Sequence, residues 1–438
     1  MLTIARESPL AAVLSPQFRD TFCATCFAEI DQNQDTEILS CDDCSEVSYC
    51  TLRCQRKDWK SVHQFECEIL RSMNPDTPMT DTMRLCVRVL LNTLRNTSER
   101  TPSFNGAFIE DLETNYKEFR SSPSHNQFLT DVLAIIKSAG HNIFPKSVDN
   151  TKMIGIICSV LCNSFGIIDE KRVEPIGSGM YIGLAKHNHS CASTSHVVFD
   201  KNQVVLRSKD QEYCKNTTIS YVSRMLPTFE RQKSIRAVHF ISCRCEMCQN
   251  WDQDLIGLGA RCQTPNCSGF VKGLNGCEVC YKQAVVTFDQ STQFTSKLID
   301  ALENLHKTMQ LDTDQEYKHL LGLREEYGKI LADCNVAILQ LDEQIAYCAS
   351  KLDRVPENME EIAARGCQYF ISRLGIGAPE VTRRLYIACK CLSRLQNPSQ
   401  EIPRLAVQSS VISHGEDHLI TKFVSELCTS DCNEMSEE

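Results

Sequence analysis

Apolar and polar positions alternate loosely over residues 1–22, with Leu2, Ile4, Leu10, Val13 and Leu14 on the apolar side, which predicts one or two short strands. The period lengthens after residue 67. Met83, Val87, Leu90, Leu91 and Leu94 share a helical face, and so do Phe128, Leu129, Val132, Leu133, Ile135 and Ile136, so residues 68–145 read as helices. Residues 150–242 mix a helix with short strands such as Ser195–Phe199 and Gln203–Leu206. From about Gln290 the chain is helical. There Leu320, Leu323, Tyr327, Ile330, Cys334, Ala337, Leu341, Ile345 and Cys348 keep an i, i+3/i+4 stripe. Pro356, Pro379, Pro398 and Pro403 are expected to cut the remainder into helices of roughly 12–20 residues. No strict repeat of about 34 residues is visible, so the pattern supports a helical bundle or solenoid. The longest apolar run, Met153–Ile168, is interrupted by Ser159, Asn163 and Ser164. It falls short of the about 20 residues that a membrane span needs.

Composition narrows the class. A chain of 438 residues suggests about two to four domains. Its 42% hydrophobic and 23% charged residues describe a globular protein. The net charge is −10 and the pI near 5.7, so the basic footprint of a sequence-independent nucleic-acid binder is missing, and no direct nucleic-acid binding is expected. The outlier is cysteine, with 26 residues. The first 22 residues lack the basic region and cleavage site of a secretory signal, which leads to an expected reducing, intracellular location. Clustered cysteines there bind metal more often than they form disulfides. A disulfide scaffold, a membrane protein and a collagen-like chain are thereby set aside.

The cysteines form three clusters. The first reads Cys23-x2-Cys26, Cys41-x2-Cys44, Cys50-x3-Cys54 and His63-x3-Cys67, enough donors for two four-ligand zinc sites. The His63/Cys67 spacing places both on one face of a helix, which the composition of Gln55 to Glu66 supports. The second, Cys243-x-Cys245-x2-Cys248, is one ligand short. The third, Cys262-x4-Cys267 with Cys277-x2-Cys280, encloses Gly269, Gly273 and Gly276 and suits a zinc ribbon. The cysteines from Cys334 onward form no ligand cluster and read as small hydrophobes. The His414-Gly415-Glu416-Asp417-His418 segment looks like a histidine metal site but reads better as a turn and cap.

The first cluster resembles the MYND zinc finger, on all eight ligands and on Tyr49, Gln55, Trp59 and Glu66. The resemblance implies an interleaved arrangement, with one zinc on Cys23, Cys26, Cys50 and Cys54 and the other on Cys41, Cys44, His63 and Cys67. Both sites are closed and therefore structural. Gln55 and Trp59 stand where the family places a groove for proline-rich peptides; Trp59 alternatively forms the finger's small core.

Further along, the chain resembles the SET domain of protein-lysine methyltransferases. The resemblance rests on Cys162-Asn163-Ser164-Phe165, Gly177-x-Gly179-x-Tyr181, Asn188-His189-Ser190-Cys191, Ile219-Ser220-Tyr221 and Glu230-Arg231-x-Lys233, in order. A SET domain split by a MYND finger and followed by helices is the order of the SET-and-MYND (SMYD) methyltransferases. The resemblance implies that Cys191 completes a third zinc with Cys243, Cys245 and Cys248. The implied fold is α+β. It divides into N-terminal SET strands (1–22), the MYND finger (23–67), a helical insert (68–149), the SET core (150–242), a post-SET segment with the four-cysteine ribbon (243–285) and an all-α, tetratricopeptide-like domain (286–438).

The implied chemistry is methyl transfer from S-adenosylmethionine to a protein lysine. Tyr221 would be the catalytic tyrosine, and Asn163, Asn188 and His189 would contact the cofactor. The implied cofactors are zinc, at three sites and a fourth in the ribbon, and S-adenosylmethionine. The implied partners are a lysine-bearing protein substrate and proline-rich peptides, with the nucleus, the cytoplasm or both as compartment. Four positions depart from the family. Residues 1–22 contain no Gly-x-Gly, and the first glycine is Gly106. Ala192, Ser193 and Thr194 follow the Asn-His-Ser-Cys motif in place of the family's proline and asparagine. Cys214-Lys215-Asn216 replaces Gly-Glu-Glu, and His239 and Ile241 stand at the post-SET tyrosine and phenylalanine positions, which removes two rings from the expected lysine channel and cofactor face. These departures keep open an alternative from another class, a catalytically inactive SET/MYND adaptor that recruits partners in transcriptional regulation.

Overall fold

The computed structural model of the chain describes residues 1–30, 38–73, 78–95, 102–138, 143, 149–208, 217–273, 276–309, 311–356, 358–395 and 399–433. Cys214-Lys215-Asn216 and Pro398 lie outside the described residues.

Short antiparallel sheets form the β-rich centre. The N-terminal strands are Leu2–Glu7 and Ala11–Leu14. The first pairs with Gln203–Ser208, which in turn pairs with Ser195–Asp200. The second pairs with Glu174–Met180, which also carries Ser164–Asp169. Gly177 is required there: a Cβ would overlap the Val13 carbonyl oxygen of the paired strand. The inward faces, including Leu14, Phe22, Phe27, Ile167, Tyr181, Phe199 and Leu206, close one core. The Met153–Ile168 run divides into the helix Asn150–Asn163, capped by Asp149, and the strand that begins at Ser164.

The finger crosses into this centre through the Leu52–Asp58 helix, a π turn at Trp59–His63 and the Gln64–Ser72 helix. The Asp81–Arg95 helix then packs against the finger and against the Ala11–Leu14 strand, with Val87, Leu90 and Leu91 fully buried in a second core.

The region after Phe288 is all α. Its helices include Phe288–Thr308, Thr313–Gly328, Val336–Ala349, Pro379–Leu392, Glu401–Ser413 and Leu419–Asn433; Thr313–Gly328 packs on Val336–Ala349 and the last three pack in succession, whereas Phe288–Thr308 packs on Val336–Ala349 rather than on its immediate successor. The stripe from Leu320 to Cys348 is not one helix. The chain reverses over residues 329–335, where Leu331 and Ala332 are buried and the Asn335 side chain caps the next helix by accepting from the Ala337 amide. Pro379 opens its helix, whereas Pro403 sits in the first turn of Glu401–Ser413 and breaks nothing, because its absent N–H would have had no intrahelical partner. The His414–His418 segment is a turn with Gly415 at φ +98°; His418 Nε2 donates to the Phe199 carbonyl and so docks the turn on the β-rich centre.

Candidate functional site

Four sulfurs held about 2.3 Å from one zinc in a tetrahedron lie about 3.8 Å apart. Among the described residues the chain builds four such donor sets, each with its donor atoms within 4.8 Å of one another. In the finger, Cys23, Cys26, Cys50 and Cys54 converge, with Cys26 to Cys50 and Cys50 to Cys54 each at 3.7 Å. Cys41, Cys44, His63 and Cys67 form the other set, with Cys41 to Cys67 at 3.8 Å and Cys44 to His63 Nε2 at 3.6 Å. These separations are far longer than the about 2.05 Å of a disulfide and fit a shared metal.

A buried charge network holds the second set. His63 Nδ1 donates to Glu66 at 3.0 Å, which fixes the tautomer that leaves Nε2 free for metal. Glu66 also accepts from Arg84 Nε at 2.7 Å and Arg88 Nη1 at 2.6 Å, and Arg88 reaches on to Asp58, which accepts from Tyr49. All four charged residues are buried. Burial alone would raise the Glu66 pKa, but the two guanidiniums hold it well below the usual carboxylate range. Arg84 and Arg88 belong to the Asp81–Arg95 helix, so this network joins the finger to its neighbour.

Cys191 meets Cys243, Cys245 and Cys248, with Cys191 to Cys248 at 3.6 Å. The fully buried Arg231 lies behind this set, 3.8 Å from the Cys248 sulfur, and is pinned by Thr228 and the Leu226 carbonyl. One guanidinium thus offsets part of the negative charge that four thiolates leave around a divalent zinc. The fourth set pairs Cys262 with Cys280 and Cys267 with Cys277, each at 3.6 Å. Amides two residues beyond a ligand (Thr264, Gly269 and Val279) donate to the Cys262, Cys267 and Cys277 sulfurs at 3.4 Å, a pattern that favours thiolates.

Next to the Cys191 set, the parallel pair Asn188–His189 and Thr218–Ile219 brings two distant motifs together. His189 Nε2 lies 3.3 Å from Cys191, and its Nδ1 accepts from the Tyr221 amide at 3.0 Å. The ring is therefore fixed between the metal-ligand loop and the tyrosine strand. Burial, with help from His239 and Arg231, lowers its pKa to about 4. Tyr221 donates its hydroxyl to the His187 carbonyl at 2.5 Å, and burial raises that hydroxyl to about 12. Asn163 closes the Asn150–Asn163 helix, its Nδ2 donating to the Glu113 and Ser159 carbonyls at 2.8 Å. The Asn188 side chain is exposed.

One expected loss is smaller than the sequence suggests. The His239 imidazole packs against Tyr221 at a tilt of 41° with ring centroids 4.5 Å apart, so a ring remains at the former tyrosine position. Ile241 is exposed and supplies none, and its neighbour Phe240 packs edge-on against Phe119. Beyond Tyr221 opens a cavity of about 420 Å³ between the β-rich centre and the C-terminal helices. Its wall is apolar at Phe165, Ile168, Val197 and Val222, and it carries Glu343 and Glu380 from the helical side. Glu380 is held by Arg224 at 2.8 Å.

Trp59 is not the finger's core, which is built from Cys23, Ile30, Cys41, Val47, Tyr49 and Cys67. It stands 43% exposed at the start of the π turn, with Gln55 one turn earlier and half-buried. Ligand spacing located the donors of the finger and of the ribbon and three of the four in the remaining set; Cys191 and the interleaved pairing in the finger came from the resemblance. Spacing did not reveal the roles of Arg84, Arg88 and Arg231 behind the donor sets, nor Glu343 and Glu380, which approach from a different part of the chain.

Comparison with known proteins agrees with this geometry. Residues 23–67 match the MYND finger family. The chain is similar to the N-lysine methyltransferase SMYD2 of Bos taurus, 26% identical over 248 residues, covering 56% of this chain and 54% of that protein. It is also similar to the histone-lysine N-methyltransferase SMYD3 of Homo sapiens, 27% identical over 259 residues, covering 57% of this chain and 56% of that protein. The SMYD3 protein of Mus musculus is 28% identical over 259 residues, with 57% of this chain and 56% of that protein covered. The chain thus spans about half the length of the curated relatives it matches. The chain carries a MYND finger and is similar, over more than half of its length, to proteins of the SET and MYND domain (SMYD) family.

Proposed function

We propose that the chain is a protein-lysine N-methyltransferase that uses S-adenosylmethionine and carries a MYND finger for docking proline-rich peptide partners. The observation that carries this reading is Tyr221, which lines the 420 Å³ cavity and whose hydroxyl donates to the His187 carbonyl at 2.5 Å. The domain division drawn from the sequence (1–22, 23–67, 68–149, 150–242, 243–285 and 286–438) belongs to this proposal, as does action in the nucleus or cytoplasm. Among the described residues no helix is long and apolar enough to cross a membrane.

The donor set fits the cofactor. The Asn188 carboxamide is exposed, the Asn163 Oδ1 stays available while its Nδ2 is committed to backbone, and His189 is held neutral by burial. Asn163 and Asn188 would hold S-adenosylmethionine by their side chains and His189, whose two ring nitrogens are engaged by the Tyr221 amide and Cys191, by its backbone; the cofactor supplies an electrophilic methyl on a sulfonium. The protein's part is alignment and electrostatics. Tyr221 Oη and the His187 carbonyl present two oxygens at one point, suited to accept weak C–H bonds from a polarised methyl. Phe165, Ile168, Val197 and Val222 offer an ammonium no partner, and the two carboxylates of the cavity are already paired, Glu343 with Arg384 at 2.6 Å and Glu380 with Arg224 at 2.8 Å, so the lining favours the neutral lysine amine that attack requires. Zinc takes no part in the transfer; its four sets hold the finger, the Cys191 loop and the ribbon in place.

Tritiated methyl transfer from S-adenosylmethionine to a histone and protein-lysate panel tests the reading. Incorporation that Tyr221→Phe reduces by about 10² or more supports it. The second reading, an adaptor without catalysis, is favoured by the exposed Trp59 and by the absence of a ring at Ile241. It predicts no incorporation by folded, zinc-loaded protein.

A further inference from the structure

The finger has nine acidic residues and four basic ones between Cys23 and Cys67, and the four cations are Arg53, Arg56, Lys57 and Lys60. They fall at i, i+3, i+4 and i+7 on the helix that begins at Leu52 and runs into the π turn, so they share one face. All four are exposed. Among the described residues they form no ion pair, although the chain carries ten more negative than positive charges. Arg53 and Lys57 line a cleft of about 410 Å³ between the finger and the Ser8–Leu10 segment with the start of the Ala11–Leu14 strand; the cleft wall also carries Ser61, Asn92, Asn202 and the paired Asp58 and Arg88. Arg56 and Lys60 continue the stripe outward, next to Gln55 and Trp59.

We propose that this stripe is the docking site for a short acidic peptide segment, flanking the apolar or proline-rich residues that Trp59 receives. The inference rests on the reading of the finger as a peptide binder and specifies the partner's charge. Length and charge choose the occupant. Arg53 to Lys60 spans about 10 Å along the helix, the length of roughly three residues of extended chain, so a run of three carboxylates matches it. A long polyanion fits poorly, because it would run onto the acidic remainder of the finger, where Asp42, Asp43 and Glu46 lie, and onto a chain of net charge −10.

Fluorescence anisotropy on the zinc-loaded full chain tests this with three probes. They are a labelled proline-rich dodecapeptide with three flanking glutamates, the same peptide with three glutamines, and a twelve-nucleotide single-stranded DNA. The expected result is roughly tenfold tighter binding of the glutamate peptide at low salt, lost at high salt. The double variant Arg56→Glu/Lys60→Glu, with unchanged zinc content, should reverse that preference. Equal binding of the two peptides overturns the acidic proposal and leaves the finger reading standing. Binding of neither peptide overturns both. Tighter binding of the oligonucleotide than of the glutamate peptide overturns the peptide assignment in favour of nucleic acid.

Discussion

Replacing Glu66 with glutamine keeps the side chain's shape and removes one of two carboxylates that face Arg84 and Arg88. In the wild type, Glu66 accepts from Arg84 at 2.7 and 3.3 Å, from Arg88 at 2.6 Å and from His63 at 3.0 Å. The two arginines and Glu66 and Asp58 together are charge-balanced, and each is no more than 5% exposed. The variant leaves two buried guanidiniums against Asp58 alone. Breaking a buried ion pair in this way costs roughly 3–5 kcal/mol, a large share of the 5–15 kcal/mol that folds an ordinary domain. Losing the carboxylate that orients a ligating histidine separately weakens metal binding by about ten- to a hundredfold, or about 1.4–2.7 kcal/mol. Zinc release to a colorimetric chelator, followed together with thermal unfolding, measures both effects. The expected result is one zinc per chain released far more readily than in the wild type and an earlier first unfolding transition. Adding Arg88→Met should restore the charge balance, so the double variant should lose less stability than the sum of the singles. Wild-type zinc release and stability in Glu66→Gln would refute the argument that this network orients His63 and couples the finger to the Asp81–Arg95 helix.

Other outcomes follow from the same structure. Cys191→Ser should lower the zinc content from four ions to three per chain by elemental analysis, because it removes one donor of a closed set and leaves the other three intact. Trp59→Ala should abolish capture of a proline-rich peptide without changing zinc content, since the ring is exposed and lies outside the finger's core. Glu170 joins the β-rich centre to the C-terminal helices through Arg383 at 2.6 and 2.8 Å. Burial alone would raise its pKa, but Arg383 and His414 hold it well below the usual value near 4.5. A depressed folded pKa means that its stabilisation is complete above about pH 4.5 and is lost as pH falls below that. Urea unfolding at pH 7 and pH 4 should therefore show a smaller pH difference in Glu170→Gln than in the wild type, together with lower stability at pH 7.

What the sequence made legible was local. A cysteine pair two residues apart announces a metal ligand whatever the rest of the chain does, and the Val197–Phe199 and Val204–Leu206 runs are short and β-branched enough for their strands to be seen. Cys191 looked ordinary by spacing and was placed only because the Asn188-His189 motif precedes it. The stripe from Leu320 to Cys348 misled, because a helical hairpin buries its turn when residues such as Leu331 sit under it, so apolar periodicity runs unbroken through a reversal of the chain. His239 misled in the opposite direction: imidazole counted as the loss of a ring, yet it still packs against Tyr221. The cavity beyond Tyr221 and the buried arginines depend on helices from distant parts of the chain, and no window of sequence contains them.

The central claim is that the residues around Tyr221 bind a methyl donor for transfer to lysine. Isothermal calorimetry of S-adenosylmethionine into the folded chain, with zinc content measured on the same sample, tests it most directly. The account predicts saturable binding at one site, lost in Asn188→Ala while zinc content stays at the wild-type level. No binding heat from well-folded, fully zinc-loaded protein would contradict the enzyme reading and leave the adaptor in its place.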